Sequence, residues 1–264
     1  MSTPLEDLFA KTRNERAILI GYVPAGFPTK DGCLAIIKAM VDGGVDAIEV
    51  GFPYSDPVMD GPVIQAAAEL ALSNGVGARD VFDALEYAAT LVPSVVMTYW
   101  NPIERFGVAE FAKEISARGG SGVITPDLTI EESSQWIAET DCSGVNRIYV
   151  VAPSTVSERL AAVTAQSSGF IYAASLMGVT GTRNSLSTDA SALVGRVREV
   201  TKTPIAVGLG VSTASQAAEV AQYADGVIVG SAFIKKVQEA ESLEAGLAAV
   251  TQLAAELAAG VRTR

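Results

Sequence analysis

Apolar residues along the chain form eight short runs that alternate with amphipathic segments. The runs are rich in Val and Ile and apolar at nearly every position, which is typical of parallel strands covered on both faces. Between them, segments such as DGCLAIIKAMVDGG and GVAEFAKEISARGG place apolar residues at helical spacing and end on glycine. The predicted strands begin near Ala17, Asp46, Ser94, Gly122, Asn146, Gly169, Pro204 and Gly226.

This alternation predicts an α/β fold. Eight βα units in 264 residues are typical of a closed parallel (β/α)8 TIM barrel, and a doubly wound open sheet is the alternative. An extra helix is predicted at each end. PLEDLFAKTR precedes the first strand, and an apolar stripe, interpreted as core packing, follows the last at Leu243, Leu247, Val250, Leu253 and Leu257. We expect residues 1–264 to form a single barrel domain.

Composition narrows the classes of function. The formal net charge of -11 disfavours binding to nucleic acid or an anionic membrane, because a negative field repels phosphate groups. The chain has no histidine and only two cysteines, so we expect no zinc site, serine–histidine triad or disulfide framework. The sequence shows no secretory signal or membrane-spanning run, and we expect a cytoplasmic protein.

A carboxylate interrupts the second apolar run, in DAIEVGFPYSDPVMDGP. Strand alternation places Glu49 opposite the bulky Ile48 and Val50, so its side chain is predicted to point into the barrel mouth, where the active sites of such barrels lie. Burial there should raise the pKa of Glu49 and make it a proton donor near neutral pH. The alternative is a structural Glu49 paired with an interior Lys or Arg.

The loop after the second strand carries two further carboxylates, Asp56 and Asp60. Asp60 precedes the helical segment VIQAAAELALSNG, with Pro62 at the first helical position, so residue type alone favours a helix cap. Asp56, in Ser-Asp-Pro, is typical of an ordinary turn. Pro53, Pro57 and Pro62 indicate a loop of defined shape.

Glycine-containing turns follow the seventh and eighth strands, in VGLGVS and VIVGSAF. Glycine allows a ligand to approach the backbone closely, and Ser231 could begin a short helix whose N-terminus attracts anions. Phosphate sites are common at this position of TIM barrels, so the pair predicts one, with ordinary βα turns as the alternative. Neutral backbone amides could hold a phosphate even on an acidic protein.

The segment after the sixth strand, SLMGVTGTRNSLSTD, is rich in Gly, Ser and Thr. It is interpreted as a mobile lid, although a surface loop without a role could have the same composition. Tyr172 near the end of the sixth strand and Tyr99 on the third could line the barrel mouth. Aromatic residues at strand ends are also often core.

The stretch IEVGFPYSDPVMDGPVIQ resembles the signature of the tryptophan synthase α subunit family, and MGVTGTR, GLGVS and VGSAF match that family in order and spacing. The resemblance extends from about the first strand to the last helix. It implies a barrel that cleaves indole-3-glycerol phosphate to indole and glyceraldehyde 3-phosphate with no metal or other cofactor. It also implies that indole passes to a pyridoxal-phosphate β subunit in an α2β2 assembly, docked near the proline-rich loop and the lid.

The resemblance further implies roles for individual residues. Glu49 would be the general acid and base, and Asp60 would hold the indole N–H. Tyr172 would support Glu49, and Thr180 of the lid would close on Asp60. The phosphate would be bound by Gly181, Gly210, Gly230 and Ser231.

Two positions depart from the family pattern. Tyr54 stands where the family often has Phe, and Leu209 stands where it often has an aromatic residue. These changes affect the predicted walls of the indole pocket rather than the chemistry. Two other functions remain open: another phosphate-binding barrel acting on a sugar phosphate, and a non-catalytic chain that only activates a β subunit.

Overall fold

A computed structural model describes residues 2–13, 15–174, 183–208 and 210–263, with the backbone alone for residues 183–188. The strands are β1 (Ile18–Pro24), β2 (Ala47–Gly51), β3 (Ser94–Met97), β4 (Gly122–Thr125), β5 (Asn146–Val151), β6 (Ile171–Ala174), β7 (Ile205–Gly208) and β8 (Gly226–Val229). They form a closed parallel barrel in sequence order, in which β8 pairs with β1. The predicted TIM barrel is confirmed, and the open sheet is not formed.

Helices surround this barrel. They are α1 (Pro4–Thr12), α2 (Lys30–Asp42), α3 (Pro62–Ser73), α4 (Ala78–Leu91), α5 (Trp100–Phe106), α6 (Val108–Ala117), α7 (Ser134–Ser143), α8 (Ser157–Gln166), α9 (Arg183–Val200), α10 (Ala214–Ala221), α11 (Ser231–Gln238) and α12 (Leu243–Val261). The connections after β2 and β3 each contain two helices. Gly75 and Gly107, with φ of 76° and 105°, separate the members of each pair because glycine adopts this left-handed region without strain.

Alternate side chains of the strands face two separate cores. The barrel interior contains small and branched apolar residues, among them Ile18, Ile20, Ala47, Val95, Ile124, Ile148, Ala206 and Ile228. The second core lies between strands and helices and includes Ile48 and Val50. The predicted orientation of β2 is therefore confirmed, and Glu49 lies on the interior face with Ala47.

Helix α1 fills the amino-terminal end of the barrel. Its Leu5 and Phe9 belong to the interior cluster, and the ring centroids of Phe9 and Phe170 are 5.7 Å apart. The Asn146 side-chain amide donates a hydrogen bond of 2.7 Å to the hydroxyl of Thr3, the N-cap residue of α1. Because this end is occupied, the space available to a ligand lies at the carboxyl ends of the strands.

The predicted C-terminal stripe forms one face of α12. Val250, Leu253 and Leu257 are buried, and α12 packs against α2, α10 and α11. Leu243, in the first turn, is 41% exposed and takes little part in this packing. The interpretation of the stripe as core packing is confirmed for its inner residues.

Candidate active site

A cavity of about 490 Å³ opens at the carboxyl ends of the strands. Every strand contributes a residue to its wall: Tyr22, Glu49, Met97, Ile124, Val150, Tyr172, Gly208 and Ile228. The remaining lining comes from residues 59–64 and from Pro126, Ala174, Gly210, Gly230 and Ser231. An apolar cavity with a few convergent polar groups is typical of a site for a small organic ligand.

Glu49 is buried in this wall, with a relative exposure of 2%. Within the part of the chain that the structure describes, its Oε2 atom has no hydrogen-bond partner. Burial raises the pKa of Glu49 to about 8, and the nearby Asp60 charge adds to the rise. No described Lys or Arg forms an ion pair with it, so the structural alternative of a buried ion pair is not supported. A carboxyl group in this environment is a neutral acid at pH 7.

Asp60 lines the same cavity from the loop between β2 and α3. The N-cap of α3 is Gly61, which makes no side-chain cap hydrogen bond, so the Asp60 carboxylate stands one residue before the cap position. Its backbone carbonyl accepts a hydrogen bond of 2.9 Å from Nε2 of Gln65. Burial raises the pKa of Asp60, and a hydrogen bond with the Tyr99 hydroxyl opposes this rise. The two cavity carboxyl groups are therefore in different environments, and the pKa of Glu49 is the one raised to about 8.

Two tyrosines, the buried Tyr22 and the partly buried Tyr172, stand beside Glu49. Tyr22 is its register neighbour on β1, and Tyr172 lies on β6. Burial and the two carboxylate charges hold the pKa of both hydroxyls well above the usual value, so both remain protonated hydrogen-bond donors. Glycines make room for them: a Cβ at Gly51 would lie 2.3 Å from the Tyr22 hydroxyl oxygen, and one at Gly208 would lie 2.5 Å from that of Tyr172.

The glycine-containing turns after β7 and β8 form a further part of the cavity wall. Gly210 has φ of 65°, a left-handed conformation that glycine adopts without strain. Gly230 is the N-cap of α11, which begins at Ser231, so the predicted short helix is confirmed. A Cβ at Gly230 would lie 2.9 Å from a ring carbon of Tyr22. The first N–H groups of α11 precede its internal hydrogen bonds and can bind an anion.

Tyr99 lies behind the loop that carries Asp60 and is not among the described residues lining the cavity. It is 2% exposed, and its hydroxyl accepts a hydrogen bond of 3.1 Å from the backbone N–H of Met59. Its ring centroid is 5.3 Å from that of Tyr54. Tyr99 therefore contacts this loop near both of its ends.

The structure thus brings together Glu49, Asp60, Tyr172, Gly210, Gly230 and Ser231 in one cavity. Three residues of the predicted site remain. Tyr99 was predicted on the third strand, but β3 ends at Met97 and Tyr99 is the N-cap of α5, outside the described cavity lining. Thr180 and Gly181 lie outside the described residues, as does Leu209.

Sequence reasoning missed Tyr22 and the apolar walls formed by Met97, Ile124 and Ile64. Tyr22 had a usable signal, because alternation along β1 from the inward-facing Ile18 and Ile20 places it on the interior face.

Two further properties bear on the class of site. In the described ranges, no group of three or more cysteine, aspartate or glutamate residues is placed to hold a metal ion. Among the described helices, none combines the length and the apolar character needed to cross a membrane.

Comparison with known proteins identifies clear relatives. The family model described as "Tryptophan synthase alpha chain" matches residues 9–262. The tryptophan synthase alpha chain of Streptomyces avermitilis is 56% identical over 261 residues, which cover 98% of this chain and 94% of that protein. The corresponding chain of Thermobifida fusca is 53% identical over 265 residues and covers 98% of both proteins.

Solved structures are similar throughout the fold. A structure of Mycobacterium tuberculosis tryptophan synthase superimposes with a TM-score of 0.91 at 48% identity, covering 100% of both chains. The tryptophan synthase alpha subunit of Legionella pneumophila superimposes with a TM-score of 0.89 at 30% identity, covering 99% of both chains. The similarity therefore includes the barrel and the loops that form the cavity.

Proposed function

Because this chain belongs to the tryptophan synthase alpha chain family, we propose that Glu49 and Asp60 are the two carboxyl groups through which it cleaves its substrate. The enzyme is a carbon–carbon lyase that splits indole-3-glycerol phosphate into indole and glyceraldehyde 3-phosphate. The observation that carries the proposal is a buried Glu49 with a pKa of about 8, in a cavity that Asp60 also lines. It agrees with the roles that the sequence resemblance implies.

Cleavage begins with a proton transfer to the indole ring. The neutral carboxyl group of Glu49 donates its proton to C3 of the indole, which carries the glycerol phosphate chain. The protonated indole ring then carries a positive charge, which is delocalised onto the ring nitrogen. Glu49 is suited to this step because burial keeps it protonated at neutral pH.

The carbon–carbon bond breaks in the second step. The Glu49 carboxylate, now ionised, takes the proton of the side-chain hydroxyl next to the breaking bond. The carbon that bears this hydroxyl becomes the aldehyde carbon of glyceraldehyde 3-phosphate. The electron pair of the broken bond returns to the indole ring and neutralises its nitrogen. One proton has been added and one removed, so Glu49 ends the cycle protonated.

Asp60 stabilises the intermediate between these steps. An ionised carboxylate that accepts a hydrogen bond from the indole N–H offsets the positive charge that develops on the ring. Tyr172 supports Glu49 from β6, and Thr180 would close over Asp60.

The phosphate group is proposed to bind at the turns after β7 and β8. Gly210, Gly230 and Ser231 line the cavity there, and their backbone N–H groups, with that of Gly181, are proposed to bind the phosphate. The helix N-terminus of α11 adds a favourable dipole. Holding the phosphate fixes the distance between the reacting carbon and Glu49, which lowers the entropic part of the barrier.

Membership of this family implies a β-subunit partner. We propose an α2β2 assembly in which indole passes to that subunit. Val58 and Met59, next to Asp60, are 76% and 39% exposed, and exposed apolar side chains beside a cavity support a protein contact on this face. The net charge of -11 supports the proposal that the chain binds neither nucleic acid nor membranes.

Replacing Glu49 with Gln tests the proposal. Gln is similar in shape and neutral but has no proton to transfer, so indole formation from indole-3-glycerol phosphate should fall at least about a hundredfold. Indole release is measured for the purified chain with and without the β subunit, and circular dichroism checks the fold. Glu69→Gln, on the exposed face of α3, is the matched control and should keep wild-type turnover. If Glu49→Gln turned over substrate at near the wild-type rate, Glu49 would have a structural role and would not be the proton donor.

A further inference from the structure

We infer that Asp127 is a positioning residue for the cleavage reaction: it fixes Tyr99, and Tyr99 fixes the loop that places the Asp60 carboxylate. Asp127 follows β4 and is not among the described residues that line the cavity. It therefore acts through other residues rather than on the substrate. The inference rests on the role proposed above for Asp60.

The first contact joins Asp127 to the start of α5. Both of its carboxylate oxygens accept hydrogen bonds from the backbone N–H of Trp100, at 2.9 Å and 3.1 Å. Trp100 is the first residue of this helix, and the N-cap residue, Tyr99, makes no side-chain cap hydrogen bond. Asp127 thus satisfies from another loop an N–H that the helix cannot satisfy itself, and the negative charge strengthens the bond.

The second contact joins Tyr99 to the loop of Asp60. The Tyr99 hydroxyl accepts the N–H of Met59, the residue directly before Asp60, and it interacts with the Asp60 carboxyl group closely enough to oppose the rise in its pKa. The Tyr99 ring packs against Tyr54 at the other end of the same segment. A shift of Tyr99 would therefore be transmitted to the carboxylate.

The loop itself is weakly packed. Residues 55, 56, 58 and 59 are exposed, so few buried contacts hold this segment. Apart from the hydrogen bond that Gln65 donates to the Asp60 carbonyl, its position near the cavity consequently depends on the contacts that Tyr99 makes from the buried side. This dependence distinguishes Asp127 from an ordinary helix cap, whose loss would lower stability without changing the chemistry.

The test compares kcat and KM for indole-3-glycerol phosphate cleavage among variants. Asp127→Ala should lower kcat between about tenfold and about a hundredfold, the range for a catalytic group displaced by up to about 1 Å. Its KM should change less than about threefold, because the phosphate contacts lie elsewhere. Asp127→Asn keeps one oxygen that can accept the Trp100 N–H, so its kcat should recover to within about threefold of the wild type.

A double-mutant cycle shows whether Asp127 acts through Tyr99. Tyr99→Phe alone should lower kcat. Adding Asp127→Ala to it should lower kcat less than about a further twofold, because the connection through the Tyr99 hydroxyl is already broken. Asp80→Ala is the matched control. Its carboxylate accepts the N–H of Gly77 at 2.9 Å at the start of α4 and pairs with Lys30. The Asp80→Ala variant should have a lower melting temperature and an unchanged kcat.

Either of two results would overturn the inference. The first is an Asp127→Ala enzyme whose kcat is within twofold of the wild type. The second is an equal decrease in kcat from Asp127→Ala in the presence and in the absence of the Tyr99 hydroxyl. Asp60→Asn separates this failure from that of the proposed function. If Asp60→Asn loses turnover while Asp127→Ala does not, only the positioning role fails. If Asp60→Asn keeps full turnover, the proposed role of Asp60 and the inference fail together.

Discussion

Alkaline pH should stop turnover by removing the proton from Glu49. Its pKa is raised from 4.5 to about 8, with burial as the main cause and the Asp60 charge as the second. Because the first step requires the protonated acid, kcat/KM, which reports the pKa values of the free enzyme, should be level near pH 7 and fall as the pH rises through about 8. The acidic side is set by Asp60, which must be ionised and whose pKa is raised by burial.

The magnitude follows from the two pKa values. With a pKa of about 8, about nine in ten molecules carry the Glu49 proton at pH 7, whereas a pKa of 4.5 would leave about one in three hundred. Burial and the Asp60 charge together therefore raise the amount of usable acid about three hundredfold at neutral pH. Above the pKa, kcat/KM should fall about tenfold for each unit of pH.

A variant connects this pH dependence to the structure. Asp60→Asn removes the second cause of the raised pKa, so the alkaline decrease in its residual kcat/KM should begin at a lower pH than in the wild type. Glu69→Gln on the exposed face of α3 should leave the profile in place. The comparison depends on the shape of each curve, so the lower activity of the variant does not affect it.

The assay follows indole release at indole-3-glycerol phosphate concentrations well below KM, between pH 6 and pH 10, which gives kcat/KM. The substrate phosphate, with a pKa of about 6, is already ionised above pH 7 and does not contribute to the alkaline decrease. The reasoning is refuted if the wild-type kcat/KM stays level up to pH 10, or if Asp60→Asn leaves the alkaline decrease at an unchanged pH.

Two further predictions concern the charge and the phosphate site. Asp60→Asn should lower kcat about a hundredfold, because an amide cannot offset the positive charge on the indole ring, while thermal unfolding stays unchanged because Gly61 holds the N-cap position. Full turnover with a lower melting temperature would make Asp60 structural. Gly210→Ala should raise the KM for indole-3-glycerol phosphate about tenfold, because a φ of 65° disfavours alanine and shifts the turn, and should leave the Kd of free indole unchanged. Equal weakening of both ligands would indicate a general collapse of the cavity.

The sequence predicted best what depends on a regular repeat. Strand alternation placed Glu49 on the interior face of β2, since a strand has a period of two residues and one face of this strand carries the bulky side chains. The same rule could have identified Tyr22 on β1. The order of the barrel followed in the same way from the repeated βα unit.

Local patterns predicted Asp60 less well. An aspartate before a helix with proline at its first position is typical of a cap, and only the three-dimensional structure shows that Gly61 occupies the cap position. The contact between Asp127 and Trp100 joins residues that are 27 positions apart. Such a contact depends on how two loops meet above the barrel, and no periodicity in the chain encodes it.

The filled amino-terminal end of the barrel limits where substrate can enter and products can leave. Leu5 and Phe9 of α1 occupy the axis beneath the cavity, and the interior cluster above them is apolar and buried. Substrate entry and the exit of both products must therefore use the mouth beside Asp60. The β subunit is proposed to dock on this same face, so indole can pass to it directly, without crossing the barrel.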